Sequence, residues 1–233
     1  MSAVMVRAEG LDKAFTLHLR GGMVLPVLRG VSLEIHAGEC VALGGPSGAG
    51  KTTLLRSLYG NYRVGGGRIL VRHRGEMVDL ARAEPRTILE IRAETLGYVS
   101  QFLRVVPRVP ALDIVAEAAI ARGTPPDAAR AAARALLERL GIPRRLHALP
   151  PATFSGGEQQ RVNLARGFIA PRPVLLLDEP TASLDAGNRD GAITLVQEAK
   201  AAGTAIVLIA HDIAVRDAIA DRVLTLTPLQ DAA

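Results

Sequence analysis

Gly45-Pro46-Ser47-Gly48-Ala49-Gly50-Lys51-Thr52 is the stretch whose reading decides the fold. Glycine, four residues, glycine, lysine and then serine or threonine is the phosphate-loop pattern, which a chain of this composition would show by accident about 0.002 times. An apolar run from Cys40 to Leu43 leads into it, and a helix over Lys51 to Tyr59, stopped at Gly60, is predicted to leave it. In that order, strand, glycine-rich turn and helix let backbone N–H groups and a helix N-terminus wrap an anion. Lys51 would neutralise phosphate oxygens, and the Thr52 hydroxyl would serve a divalent cation.

Working outward, Val31 to Ile35 alternates as a strand, Arg68 to Leu80 reads as a β-hairpin broken at Gly75, and Thr95 to Ser100 reads as a further strand. The texture then turns helical. Ala111 to Arg122 and Asp127 to Leu140 carry helical periodicity, and a third helix runs from Ser155 to about Ala170 before Pro171 and Pro173. Val174 to Leu177 and Ala205 to Ala210 are continuous apolar runs, the pattern of strands covered on both faces of a parallel sheet. A helical segment of about 105–172 therefore interrupts an α/β core of about 1–104 and 173–233, and the whole chain is expected to be one domain.

The strand at Val174 ends in Asp178-Glu179-Pro180. A carboxylate at the tip of a buried strand is costly without a partner, and a magnesium ion beside the phosphate loop would supply one for Asp178. Glu179, pointing elsewhere along an extended chain, would polarise an attacking water. Ser155-Gly156-Gly157-Glu158 is a capping box by spacing, and its two glycines also open backbone N–H groups to a phosphate. Of five histidines, His211 alone follows a predicted buried strand, while His18, His36, His73 and His147 lack metal-ligand spacing and read as surface or packing residues.

Phosphate loop, Phe154-Ser155-Gly156-Gly157-Glu158-Gln159-Gln160-Arg161, Leu177-Asp178-Glu179-Pro180, Ser183-Leu184-Asp185 and Ala210-His211-Asp212, in this order, resemble the full motif set of an ATP-binding-cassette ATPase. The resemblance covers nearly the whole chain. It implies an α/β phosphate-loop core with an antiparallel β lobe and an inserted helical subdomain, and hydrolysis of ATP with Mg²⁺. In nucleotide binding it implicates Gly45, Pro46, Ser47, Gly48, Ala49, Gly50, Lys51, Thr52, Thr53, Ser155, Gly156, Gly157 and Asp185, and in two cassettes facing head to tail Ser155 and Gly157 of one would touch the γ-phosphate held by Lys51 of the other. Thr52, Asp178 and Gln101 are implied for Mg²⁺, Glu179 for water activation with Lys51, and His211 for the γ-phosphate. Phe15 falls at the place of the aromatic that stacks on adenine, with an ordinary core phenylalanine as the equal alternative. Phe154 replaces the more usual leucine before Ser155, an apolar exchange.

Within the family, Phe15 to His18, Leu54 to Tyr62, Val99 to Arg108 and Thr153 to Phe168 are similar to the L subunits of the carbon–phosphorus lyase system for phosphonate use. That likeness implies a soluble phosphonate lyase core complex as partner, through Phe102 to Arg108. The alternative is the ATPase subunit of a membrane transporter, which would share every nucleotide residue. A nucleic-acid-handling ATPase stands further back: ten arginines against five acids between Arg56 and Arg108 account for the net charge of +5, but no large coiled-coil insertion separates the nucleotide motifs.

Composition bounds the rest. With 233 residues, 48% apolar and 22% charged, the chain can bury a substantial core and does not read as disordered or fibrous. Aromatic residues at 3%, with no tryptophan, argue against a platform of stacked rings for single-stranded nucleic acid. The lone Cys40 excludes an internal disulfide and is expected in the core. No apolar run approaches the ~20 residues of a bilayer-spanning helix, so the expectation is a cytoplasmic protein without direct membrane insertion.

Overall fold

Two sheets share one helix. The computed structural model describes residues 2–18, 21–103 and 107–229. The first sheet is antiparallel, with strands β1 (Val4–Leu17), β2 (Met23–His36), β4 (Gly66–His73) and β5 (Glu76–Asp79) in the order β2-β1-β4-β5. The second is parallel, with β6 (Leu96–Val99), β7 (Val174–Asp178), β8 (Ala205–Ile209), β3 (Cys40–Gly44) and β9 (Arg222–Thr225) in the order β6-β7-β8-β3-β9. Every residue of β7 and β8 is buried, as continuous apolar strands in the middle of a parallel sheet require.

The pleat divides the interior into two cores. Val174 and Leu176 of β7, with Val41, Leu43, Val207 and Ile209, face the antiparallel sheet, and helix α1 (Lys51–Leu58) fills the space between the sheets with Leu54, Leu55 and Leu58. The alternate residues Leu175 and Leu177, with Cys40, Ile206 and Leu208, face a helical layer. That layer contains α3 (Ala111–Ile120), α4 (Pro126–Arg139), α6 (Gly156–Phe168), α7 (Ala186–Ala201) and α8 (Ile213–Ile219). Helices α2 (Pro85–Glu94) and α5 (Arg144–His147) complete the set. Cys40 is fully buried, and burial pushes its thiol up to about 12, so it packs as a small hydrophobe.

The sequence readings of β3, α1, the β4–β5 hairpin, β6, α3, α4, α6, β7 and β8 meet elements in the structure. The pairing of β1 with β2 shifts register between Val4 and Val6, Ala8 and Leu11, Leu11 and Lys13, and Lys13 and Ala14, so the period of two that would reveal β1 is repeatedly broken. The basic segment from Arg56 to Arg108 is largely occupied by its own neighbourhood. Arg74 pairs with Glu94, Arg86 with Glu90 and Arg68 with Asp79, while Arg72 donates to the Val4 carbonyl and Arg92 to that of Tyr59.

Candidate active site

The phosphate loop follows β3 and opens α1 as the sequence requires. Gly50 occupies the helix N-cap with φ of 90°, and its Cα lies so close to β2 that an added Cβ would stand 2.9 Å from Leu28 Cδ2 and 3.0 Å from the Val27 carbonyl oxygen. Glycine is therefore needed here for both conformation and space. Lys51 Nζ donates to the carbonyl oxygens of Gly45 and Pro46, each at 2.8 Å, which draws the ammonium across the loop.

At the end of β7, Asp178 is buried, 2% exposed, and its two carboxylate oxygens are divided between two elements. Oδ2 accepts from the Tyr98 hydroxyl of β6 at 2.8 Å, and Oδ1 faces the Thr52 hydroxyl of α1 at 3.4 Å. The register explains the first contact: Tyr98 pairs with Leu176, so its side chain lies on the face of the sheet that Asp178 shares two residues on. Burial and the Asp178 charge push the Tyr98 phenol upward, which keeps it a protonated donor.

Glu179 turns away from Asp178 because its backbone takes the left-handed conformation, φ of 52°, uncommon for a residue with a side chain. Its N–H donates to the Ile209 carbonyl at 2.9 Å, which ties this conformation to the end of β8. The carboxylate then lies between two other residues expected at the site, Gln101 for Mg²⁺ and His211 for the γ-phosphate. His211 Nε2 is 2.8 Å from Oε1, and Gln101 Nε2 donates to Oε2 at 3.1 Å. Three residues far apart in sequence thus meet at one carboxylate, beside the loop that carries Lys51 and Thr52.

Ser155, Gly156, Gly157 and Asp185 form a second group, at two helix ends. Ser155 caps α6 in a full capping box: its hydroxyl and N–H donate to Glu158 Oε2 at 2.7 and 2.8 Å, and the Glu158 N–H donates back to Ser155 Oγ at 3.3 Å. The Ser155 hydroxyl holds the Glu158 carboxyl below the usual carboxylate range. Asp185 caps α7 by accepting from the Asn188 N–H at 2.9 Å. A Cβ on Gly157 would lie 2.8 Å from the Ser183 carbonyl oxygen, so glycine lets these two motifs approach. The hydrogen bonds of the Ser155 and Asp185 side chains stay within their own helix ends, and none joins them to the phosphate loop among the described residues.

Phe15 is half-buried on β1. Tyr62 stands against it edge to face with ring centroids 5.3 Å apart, and Lys13 Nζ lies 4.6 Å from the ring centroid. Tyr62, Tyr98 and Arg56 were not among the expected site residues. The available signal was Tyr98 itself, a polar ring in a short apolar strand leading to Gln101. Phe102 is 71% exposed and Leu103 is buried, while Arg104, Val105 and Val106 of the expected partner surface lie outside the described residues. The other histidines behave as packing or surface groups where described: His73 contacts Thr95 Oγ1 at 2.7 Å, and His147 contacts the Ile142 carbonyl at 3.0 Å.

The donor set around Thr52 suits magnesium. One buried carboxylate and one hydroxyl are hard oxygen ligands, and no group of three or more histidine, cysteine, aspartate or glutamate side chains capable of caging a metal occurs among the described residues. Mg²⁺ is commonly held by one or two carboxylates together with substrate phosphates, which matches this sparse arrangement. No helix among the described residues is long and apolar enough to cross a membrane.

A family model described as ABC transporter matches residues 28–182. The chain is 36% identical over 213 residues to the lipoprotein-releasing system ATP-binding protein LolD of Shewanella sp. (strain MR-4), covering 91% of this chain and 89% of that protein. It is also 36% identical over 217 residues to the macrolide export ATP-binding/permease protein MacB 1/2 of Paracoccus denitrificans (strain Pd 1222), covering 90% of this chain and 30% of that longer protein. Among solved structures, the dimeric bacterial ABC transporter cassette MJ0796 superposes with a TM-score of 0.85 at 26% identity, covering 95% of this chain and 94% of that one. The same cassette as a post-hydrolysis dimer bound to ADP and Pi gives 0.85 at 26% identity, covering 96% and 95%. These relatives are transporter ATPases and give no support to the carbon–phosphorus lyase expectation. The motifs, the two-sheet architecture and the relatives agree: the chain belongs to the ABC transporter family, as an ATP-hydrolysing cassette.

Proposed function

We propose that this chain hydrolyses Mg·ATP in a head-to-tail pair of cassettes and passes the resulting change of shape to a membrane permease. The observation that carries the catalytic part is the Glu179 carboxylate between His211 and Gln101, at 2.8 and 3.1 Å. Two donors fix the carboxylate while its left-handed backbone aims it away from Asp178. So oriented, Glu179 takes the proton of a water whose oxygen attacks the γ-phosphorus, and ADP leaves with the electrons of the broken bond. Lys51 exchanges its contacts with the Gly45 and Pro46 carbonyls for phosphate oxygens, and the loop from Gly45 to Thr53 supplies backbone N–H donors. Thr52, Asp178 and Gln101 would hold Mg²⁺, which when bound offsets the charge that develops on the phosphates. His211 contacts the γ-phosphate, and Phe15 lies against the adenine.

Ser155, Gly156, Gly157 and Asp185 act on the nucleotide of the opposing cassette. Their local hydrogen bonding supports this, as does the dimeric state of MJ0796. The permease as partner is supported by the relative MacB 1/2, whose name joins an ATP-binding to a permease part and of which this chain covers 30%. A second reading, the L subunit of a phosphonate lyase complex, rests on the likeness from Val99 to Arg108 and the three other stretches quoted above. Both use the groove of about 1030 Å³ beside Gln101 and exposed Phe102. Mass spectrometry of the native assembly, purified from its source on tagged chain with and without membrane solubilisation, tests the partner. An integral permease in stoichiometric amount supports the transporter, and soluble lyase subunits in its place overturn it. Absence of Mg²⁺-dependent ATP hydrolysis in that assembly would overturn the catalytic reading.

A further inference from the structure

Asp178 is buried, and a carboxylate in that position needs each oxygen directed. Thr52 meets Oδ1, but nothing about Thr52 fixes the rotation of the group, because its hydroxyl stands 3.4 Å away. The close contact is on the other oxygen, from Tyr98 at 2.8 Å. Tyr98 is itself held from one side. Tyr59 packs against its ring with centroids 5.1 Å apart, and Arg56 lines the same groove. Arg56 is anchored in turn by donating from Nη1 to the Tyr62 hydroxyl at 3.0 Å, and Tyr62 is the ring that stands against Phe15. Arg56 and Tyr62 thus link Phe15, the proposed adenine aromatic, to the groove wall that Tyr98 shares.

We propose that Tyr98 is a positioning residue for the metal: by occupying Asp178 Oδ2 it turns Oδ1 toward Thr52 and so sets the affinity for Mg²⁺ in the nucleotide complex. The proposal rests on the reading of Asp178 as a magnesium ligand. A partner that orients a metal-binding group contributes as much as many ligands do, and its loss typically lowers metal affinity or activity by 10–100-fold. Tyr98 is also half-buried in the groove wall, with Arg56, Tyr62 and Gln101, so the same hydroxyl lies between the partner groove and the metal carboxylate.

The test is calorimetry of ATP binding to the full chain in MgCl₂ and in EDTA, for the native protein, Tyr98→Phe and Asp178→Asn. Tyr98→Phe keeps the ring and its packing on Tyr59, so affinity in EDTA stays native and reports intact folding. The expected result is that the gain in affinity brought by Mg²⁺ shrinks about tenfold in Tyr98→Phe, and at least as much in Asp178→Asn. A native Mg²⁺ gain in Tyr98→Phe together with a reduced one in Asp178→Asn overturns the role of Tyr98 and leaves Asp178 as ligand. An unchanged gain in Asp178→Asn overturns the ligand assignment and the proposal with it. A loss in EDTA as large as the loss in MgCl₂ for Tyr98→Phe assigns Tyr98 to packing alone and overturns the proposal.

Discussion

Asp178 and Ser155 each end or begin a regular element, and each belongs to a nucleotide motif, yet they are fixed by different means. The Asp178 carboxylate meets Tyr98 and Thr52, 80 and 126 positions away, and is buried beneath α1. The Ser155 side chain bonds to Glu158 three residues on, at an exposed helix end. Tertiary packing sets the first group, and local helix chemistry sets the second. A site of the first kind is rigid before any nucleotide arrives, because moving Asp178 disturbs three elements at once. One of the second kind is a preformed helix end with glycine N–H groups directed outward, suited to meeting a ligand carried by another molecule. The difference locates the two halves of the proposed composite site.

Substitutions at the packed group should have the larger effects. Glu179→Gln preserves shape and both neighbours, His211 and Gln101, but removes the base. Hydrolysis should fall by ~10²-fold or more while ATP binding persists, a separation that steady-state turnover and calorimetry read directly. Unchanged turnover would move the catalytic carboxylate elsewhere. Lys51→Ala removes the cation of the loop. The loss of a charge-assisted contact worth ~1.5–3 kcal/mol corresponds to roughly tenfold to a hundredfold in ATP affinity. Native affinity in that variant would remove the phosphate loop from the binding account.

Gly157→Ala tests the close approach of α6 to the Ser183 segment within the helix-end group. Its Cβ would stand 2.8 Å from the Ser183 carbonyl, a backbone atom that cannot rotate away, so the α6 and Ser183 segments must separate. Overpacking of this sort costs ~1–3 kcal/mol. Chemical denaturation should show a lower midpoint, with ATP affinity of the isolated cassette unchanged if this loop serves the opposing nucleotide. Weaker binding in dilute monomer would place Gly157 at the chain's own nucleotide instead.

Legibility in the sequence follows the same division. The phosphate loop, β7 with Asp178 and Glu179, and the capping box at Ser155 are local patterns, so residue spacing suffices to read them. The meeting of Gln101, Glu179 and His211 joins three loops, and their roles entered through resemblance to a family rather than through any spacing. Tyr98 stands out as a polar ring in an apolar strand, but its partners and those of Arg56 were not legible. Their contacts depend on the β6–β7 register and on α1 lying between two sheets, neither of which leaves a mark in a single sequence. Helix α7 was missed because Gly187 and Gly191 interrupt it and only Ala192, Leu195 and Val196 are buried, too few to show a period.

The smallest expected effect is at the locally built end. Ser155→Ala removes the hydroxyl that bonds Glu158 in both directions, which costs ~1 kcal/mol of stability in a typical N-cap. The variant also has a pH signature. In the native fold the Ser155 hydroxyl and N–H hold the Glu158 carboxyl low, so the capping box contributes fully above the ordinary carboxylate range. That contribution disappears as pH falls through the depressed folded value. In Ser155→Ala the Glu158 carboxyl should rise toward its ordinary value, and the acid-side decline in stability attributable to it should shrink. Carboxyl NMR titration and denaturation across that range read both. Because the bonds involved are local, ATP affinity of dilute monomer should stay native, whereas hydrolysis should become more dependent on protein concentration as the opposing nucleotide loses a contact. A Glu158 carboxyl left low in the variant would mean that the Ser155 backbone N–H, which also donates to it, sustains the cap without the hydroxyl.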